Sequence, residues 1–182
     1  MKYGWVSELD GVKLTRIKSV SDVRGTLLKF HPPQEFENFL DSMLISINPN
    51  PGTIRGLHFQ VEPFAEVKLV TCIQGAIFDV ALDIRPDSRT FGMWTSFELS
   101  AKNGLQACLP KGIAHGFQTT MRDSIVHYSL NSSYSPDFAY SINPIGEIDF
   151  NWPLTEYSIS ERDSNGVSLL FAAHKYSASL KR

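Results

Sequence analysis

No stretch of the 182 residues approaches the roughly 18–20 consecutive apolar residues a membrane-spanning helix needs. Met1 to Thr15 also lack the apolar core of a secretory signal. Neither export nor membrane spanning is expected, and the chain reads as cytoplasmic. An excess of one charge is missing too: 17 Lys and Arg against 19 Asp and Glu give a formal net charge of −2. Without a basic run there is no electrostatic footprint for nucleic acid, so no nucleic-acid or membrane partner is expected. Cysteine is scarce. The two present, Cys72 and Cys108, lie inside apolar segments with no Cys-x-x-Cys spacing, which fits reduced structural thiols. No internal repeat, low-complexity tract or Gly/Ser/Pro-rich linker divides the chain. Residues 1–182 are therefore read as a single domain, with 42% hydrophobic residues to supply its core.

What the chain does contain is many short strands. Alternating or β-branched runs cover Val12–Lys18, Thr26–Phe30, Met43–Asn48, Thr53–Phe59, Val67–Ile73, Ala76–Ile84, Trp94–Leu99, Leu105–Leu109, Gly116–Thr120 and Ser124–Leu130. Gly, Pro, Asn and Asp bound them, as in Asn48-Pro-Asn-Pro-Gly52 and Arg85-Pro-Asp-Ser88. Strands at this spacing predict an all-β sandwich or barrel. Two peripheral helices are expected: Pro33–Leu40, with a proline start and an acidic first turn, and Ser160–Lys175, opened by a Ser-Glu-Arg-Asp cluster.

Two segments narrow the choice. Gly52-Thr-Ile-Arg-Gly-Leu-His58-Phe-Gln60 and Gly104-Leu-Gln-Ala-Cys-Leu-Pro110-Lys-Gly112-Ile-Ala-His115 resemble the paired cupin signatures G-x5-H-x-H and G-x5-P-x-G-x2-H. The resemblance implies a double-stranded β-helix, a jelly-roll barrel. The first signature breaks where it matters, because Gln60 occupies the position of the second metal-binding histidine. A divalent metal in such a barrel needs imidazoles plus a carboxylate. An amide does not replace imidazole, and no Glu follows Gln60 at the expected short offset. No metal and no cofactor are expected, which frees His58 to move protons.

The resemblance then becomes specific. Arg55-Gly-Leu-His58-Phe-Gln60, Lys68-Leu-Val, Gly75-Ala-Ile-Phe-Asp-Val-Ala-Leu-Asp83, Thr90-Phe-Gly-Met-Trp94 and Pro110-Lys-Gly-Ile-Ala-His-Gly-Phe117 resemble the dTDP-4-dehydrorhamnose 3,5-epimerase family. The match runs in order from about Asp22-Val-Arg-Gly25 to Ser160-Glu-Arg-Asp163. It implies a metal-free cupin acting on a nucleotide-linked 4-keto-6-deoxy sugar. A ketone at carbon 4 acidifies the hydrogens on carbons 3 and 5. Inversion removes such a hydrogen from one face and returns a proton to the other. The chemistry needs a base, an acid opposite it, and a cation near the enolate oxygen.

By this resemblance His58 is the base, since neutral imidazole accepts protons at cell pH. Asp163 is the carboxylate that orients it, and also a residue suited to begin the last helix. Tyr128 is the proton donor, because a phenol stays protonated at neutral pH, and Lys68 stands near the enolate oxygen. For substrate binding the resemblance implies Arg24 and Arg55 at the diphosphate and nucleotide, where the planar guanidinium fork suits phosphate. Asn48, Gln60, Tyr134 and Arg162 are further candidates in the same site. His115 matches either a substrate-contacting histidine or a structural strand-end residue. A family tendency for the N-terminal segment to reach the neighbouring subunit implies a homodimer.

The chain also departs from the family. Lys29 replaces a glutamate that meets the base, Ala139-Tyr140 replaces a Glu-Arg pair, and Arg162 replaces a lysine. A lysine only donates, whereas cytosine offers acceptors, so Lys29 fits a cytidine nucleotide unless it faces solvent or a phosphate. The expectation is thus an isomerase acting at carbon 3, carbon 5 or both. A non-catalytic sugar-nucleotide-binding cupin and a metal-dependent cupin oxygenase are the alternatives.

Overall fold

The structure, a computed structural model, describes Gly4, residues 6–29 and residues 41–181. The expected helix Pro33–Leu40 lies outside the described residues, as does Phe30 at the end of the expected strand Thr26–Phe30. Among the described residues twelve strands run β1 (Lys13–Arg16), β2 (Lys18–Asp22), β3 (Gly25–Lys29), β4 (Ser42–Asn48), β5 (Ile54–Gln60), β6 (Lys68–Gln74), β7 (Ala76–Asp83), β8 (Trp94–Ser100), β9 (Leu105–Leu109), β10 (Ile113–Thr119), β11 (Ser124–Leu130) and β12 (Ala139–Ser141). Helices α1 (Glu161–Ser164) and α2 (Leu169–Ser179) follow.

Two five-stranded antiparallel sheets, ordered β1-β9-β6-β11-β4 and β12-β5-β10-β7-β8, carry the fold, and β2-β3 form a separate hairpin. Period-2 alternation explains how the sheets pack. Val70 and Cys72 of β6, Ala107 and Leu109 of β9 and Val126 of β11 meet Ile77 and Ala81 of β7 and Ile113 and Phe117 of β10 in one cluster. Since both sheets contribute, this cluster is the barrel interior. The opposite parity, Val80 and Leu82 of β7 and Ala114 of β10, faces outward into a second core. There it is covered by Trp152 and by Leu169, Ala172 and Tyr176 of α2. With Ala173, those α2 residues follow the i, i+3, i+4, i+7 spacing of a buried helical stripe. The second sheet is thus buried on both faces, which is why β7 reads as a nearly continuous apolar run and every residue of β10 is buried. The jelly-roll barrel with short peripheral helices agrees with the sequence reading.

Several boundaries differ. The expected strand Val12–Lys18 divides into β1 and the start of β2, because Lys13–Arg16 pairs with β9 while Lys18 pairs with Lys29. The expected strand Gly116–Thr120 begins earlier, at Ile113. The expected helix Ser160–Lys175 is two helices. Each has its own serine cap: Ser160 Oγ accepts from Asp163 N at 3.1 Å and Ser168 Oγ from Phe171 N at 3.3 Å. Between them Val167 bridges Ile142 and donates its N–H to Ser141 O at 2.7 Å. The chain must be extended there, which no helix permits.

Candidate active site

Strand parity places the candidate residues. Lys68 has the interior parity of Val70 and Cys72, His115 that of Ile113 and Phe117, and Tyr128 that of Val126. All three line a cavity of about 470 Å³. On β5 a bulge does the same work. His115 pairs with His58 but Phe117 pairs with Arg55, so β5 carries one residue more than β10 across this step. The shift turns both Arg55 and His58 into the cavity. Glycine is required at its centre: Gly56 has φ +113°, and a Cβ there would lie 2.5 Å from His115 O and 2.6 Å from Gly116 Cα.

His58 Nε2 lies 2.7 Å from Asp163 Oδ1. The cap at Ser160 fixes the first turn of α1 and so presents Asp163 to β5. Asp163 is therefore both part of a capped turn and the partner of His58. Ser141 donates its hydroxyl to Asp163 Oδ1 at 2.8 Å, and Gly56 donates its N–H to Oδ2 at 3.2 Å. Burial by itself would raise the pKa of this carboxyl. The hydrogen bond and charge of His58, with the Ser141 and Gly56 donors, outweigh that and hold it at about 2. Asp163 is ionised and acceptor-only at neutral pH, so His58 donates from Nε2 and keeps a lone pair on Nδ1.

Lys68 Nζ donates to His58 O at 2.9 Å and pairs with Glu66 Oε1 at 3.1 Å, both side chains being almost fully buried. Gln60 is saturated by protein. Its Nε2 donates to Phe64 O, Glu66 Oε2 and Ser133 O, and its Oε1 accepts from Ser135 N at 2.7 Å. The residue at the second-histidine position thus ties two loops to the barrel. Among the described residues no group of three His, Cys, Asp or Glu side chains is placed to hold a metal ion.

His115 Nε2 lies 2.7 Å from the buried Asp79 Oδ2, and its ring meets the Tyr128 ring edge to face at 6.0 Å. Burial pushes the Tyr128 phenol well above its ordinary range; Asp79 adds to this and Arg55 opposes it. The hydroxyl is protonated throughout the physiological range. Arg55 is held by a bond from Nε to Asn48 Oδ1 at 2.9 Å. Asn48 is buried and anchored to Ser46 O and Ser124 O, so it acts behind Arg55 rather than on the cavity surface. Arg162 donates to Tyr134 Oη at 3.0 Å and Ala139 O at 3.3 Å across the cavity mouth, beside Tyr140.

Ten of the twelve sequence candidates thus line this cavity or contact residues that line it. Arg24 and Lys29 do not. Both lie on the β2-β3 hairpin, Lys29 exposed at its end and Arg24 86% exposed and paired with Asp22. Three polar residues escaped the sequence reading: Glu66, Asp79 and Ser141. Glu66 had a signal, since an acid two positions before Lys68 lies on the same side of an extended chain. Asp79 had a weaker one, a carboxylate inside the apolar run Ala76–Ile84. Nothing in the sequence pointed to Ser141.

The chain resembles known proteins in sequence and in fold. A sequence model of the dTDP-4-dehydrorhamnose 3,5-epimerase family matches residues 6–170. The dTDP-4-dehydrorhamnose 3,5-epimerase of Sinorhizobium fredii is 42% identical over 165 residues, 87% of this chain and 85% of that protein. The crystal structure of dTDP-4-dehydrorhamnose 3,5-epimerase from Bacillus anthracis with TDP and PPi bound superimposes with a TM-score of 0.82 at 35% identity, over 90% of this chain and 98% of that one. The dTDP-6-deoxy-D-glucose-3,5-epimerase of Legionella pneumophila, in complex with dTDP-4-keto-L-rhamnose, gives a TM-score of 0.83 at 30% identity over 90% of each chain.

Proposed function

The chain belongs to the dTDP-4-dehydrorhamnose 3,5-epimerase family and is an isomerase of nucleotide-linked sugars, and from that premise we propose that it inverts carbon 3, carbon 5 or both of a dTDP-linked 4-keto-6-deoxy sugar using His58 as base and Tyr128 as acid. The C–H bond beside the ketone breaks, its proton passes to His58 Nδ1, and the electron pair moves onto the carbonyl oxygen. Asp163 steadies the resulting imidazolium through Nε2. Lys68 stabilises the enolate oxygen. Tyr128 then delivers its hydroxyl proton to the opposite face of the carbon; the phenolate regains a proton from solvent and His58 releases the abstracted proton to solvent, which restores the site.

One observation carries this reading: an ionised Asp163 holds His58 at 2.7 Å in a cavity that Lys68 and Tyr128 also line. Charge agrees with the substrate class. Among the described residues three cations, Arg55, Lys68 and Arg162, line the cavity against one carboxylate, Glu66, which suits a diphosphate. The test is incubation with the dTDP-linked 4-keto sugar in deuterated water. Deuterium at carbon 3 or 5 is expected, and a ligand recovered without deuterium returns the chain to the non-catalytic binding reading.

A homodimer completes the proposal. Among the described residues β4 is an edge strand that exposes Met43, Ile45 and Ile47, and the hairpin exposes Val20, Val23 and Leu27. Edge backbone and exposed apolar side chains favour cover by a second copy. That arrangement gives Arg24 and Lys29 a place near the partner's cavity. A light-scattering mass of one chain overturns it.

A further inference from the structure

The cavity wall contains an acid that the proton transfers leave unused. Glu66 sits two residues before Lys68 and lines the same cavity. Its Oε1 is 3.1 Å from Lys68 Nζ, and its Oε2 accepts from Gln60 Nε2 at 2.7 Å. Gln60 has its remaining polar capacity committed to the backbone of Phe64, Ser133 and Ser135, so it holds the carboxylate in place. An ammonium has three N–H donors. On Lys68 one goes to Glu66 and one to His58 O, leaving the third. A buried ammonium with no counter-charge is strongly disfavoured, and a flexible four-carbon stem has many ways to point elsewhere.

We propose that Glu66 is a positioning residue for the epimerisation: it balances the buried charge of Lys68 and fixes its ammonium so that the one uncommitted N–H meets the enolate oxygen. The inference rests on the reading of the cavity as an epimerase site. It gives Gln60, at the forfeited metal position, a share in the chemistry through Glu66 rather than through any direct contact. A purely structural Glu66, pinning the 61–66 loop through Gln60, is the competing role.

A double-mutant cycle separates the two roles. Solvent-deuterium exchange into the dTDP-linked 4-keto sugar is measured for wild type, Glu66→Gln, Lys68→Met and the double variant, with thermal unfolding of each. Glu66→Gln preserves shape and the bond from Gln60, and is expected to slow exchange about tenfold to a hundredfold. Lys68→Met slows it at least as much. The double variant is expected to match Lys68→Met, because Glu66 acts only through that ammonium. It also melts above Lys68→Met, since no orphaned carboxylate remains buried. Wild-type exchange in Glu66→Gln, or losses that multiply in the double variant, overturns the inference. If Lys68→Met alone does not fold, Lys68→Gln takes its place in the same cycle, with the same expected match between the double variant and the Lys68 variant and the same overturning result. No exchange by wild-type protein overturns the epimerase reading itself, and this inference with it.

Discussion

Replacing Asp163 with asparagine should make part of the protein's acid sensitivity disappear together with its catalysis. Asparagine keeps the shape but not the charge, so it loses the charge-assisted bonds from His58, Ser141 and Gly56. In the folded protein the carboxyl sits at about 2 instead of its usual 3.8. A depressed carboxyl contributes stability above its unfolded pKa and loses it as pH falls through the folded one. At about 1.4 kcal/mol per pH unit of difference, the gap is worth about 2 kcal/mol at pH 5, about 1 at pH 3 and under about 0.5 at pH 2. Asp163 is only 4% exposed, so solvent screening removes little of this. Urea unfolding of wild type and Asp163→Asn across that range supplies the test. Other depressed carboxyls, such as Asp83, titrate alike in both proteins and cancel. The stability difference between the two should therefore narrow by about 2 kcal/mol from pH 5 to pH 2. At neutral pH, exchange should fall about 10²-fold or more, because the tautomer of His58 is no longer imposed. A stability difference independent of pH would refute the ionised, buried Asp163 on which the assignment of His58 Nδ1 depends.

Three further outcomes are expected. Tyr128→Phe keeps the ring against His115, so stability barely moves and exchange at the abstracted position survives, while completed inversion falls roughly 10²-fold; inversion at the wild-type rate moves the acid role to Tyr134 or water. Purified protein should hold no stoichiometric metal and should ignore chelators, since Gln60 is committed to Glu66 and backbone; one tightly bound transition metal per chain, with activity lost on its removal, restores the oxygenase reading. Titration of nucleoside diphosphates should favour thymidine over cytidine, in keeping with the dTDP-linked substrate proposed above; a cytidine preference would assign base recognition to the partner's Lys29.

How much of this was legible in the sequence depended on locality. His58, Lys68 and His115 lie in family motifs a few residues long, so the resemblance named them, and strand parity in the structure puts them with Tyr128 on the cavity wall. Asp163 lies 105 residues from His58, and only the family resemblance joined them. The capping serine that presents it was visible, but the break before Ser168 was not. That break depends on Val167 pairing with Ile142, a tertiary bridge that overrides the helical pattern of Ser160–Lys175. Arg55 illustrates a further limit. Simple alternation from His58 puts it on the outer face, and only the bulge at Gly56 turns it inward. Glu66 matches no motif, and only its spacing of two from Lys68 hints at the ion pair that the fold makes.

The central claim is that His58 removes the proton beside the ketone. It is tested most directly by incubating His58→Asn with the dTDP-linked 4-keto sugar in deuterated water, beside wild type, and reading deuterium at carbons 3 and 5. The account predicts incorporation by wild type and none by a folded His58→Asn protein. Substantial incorporation by that folded variant would contradict it.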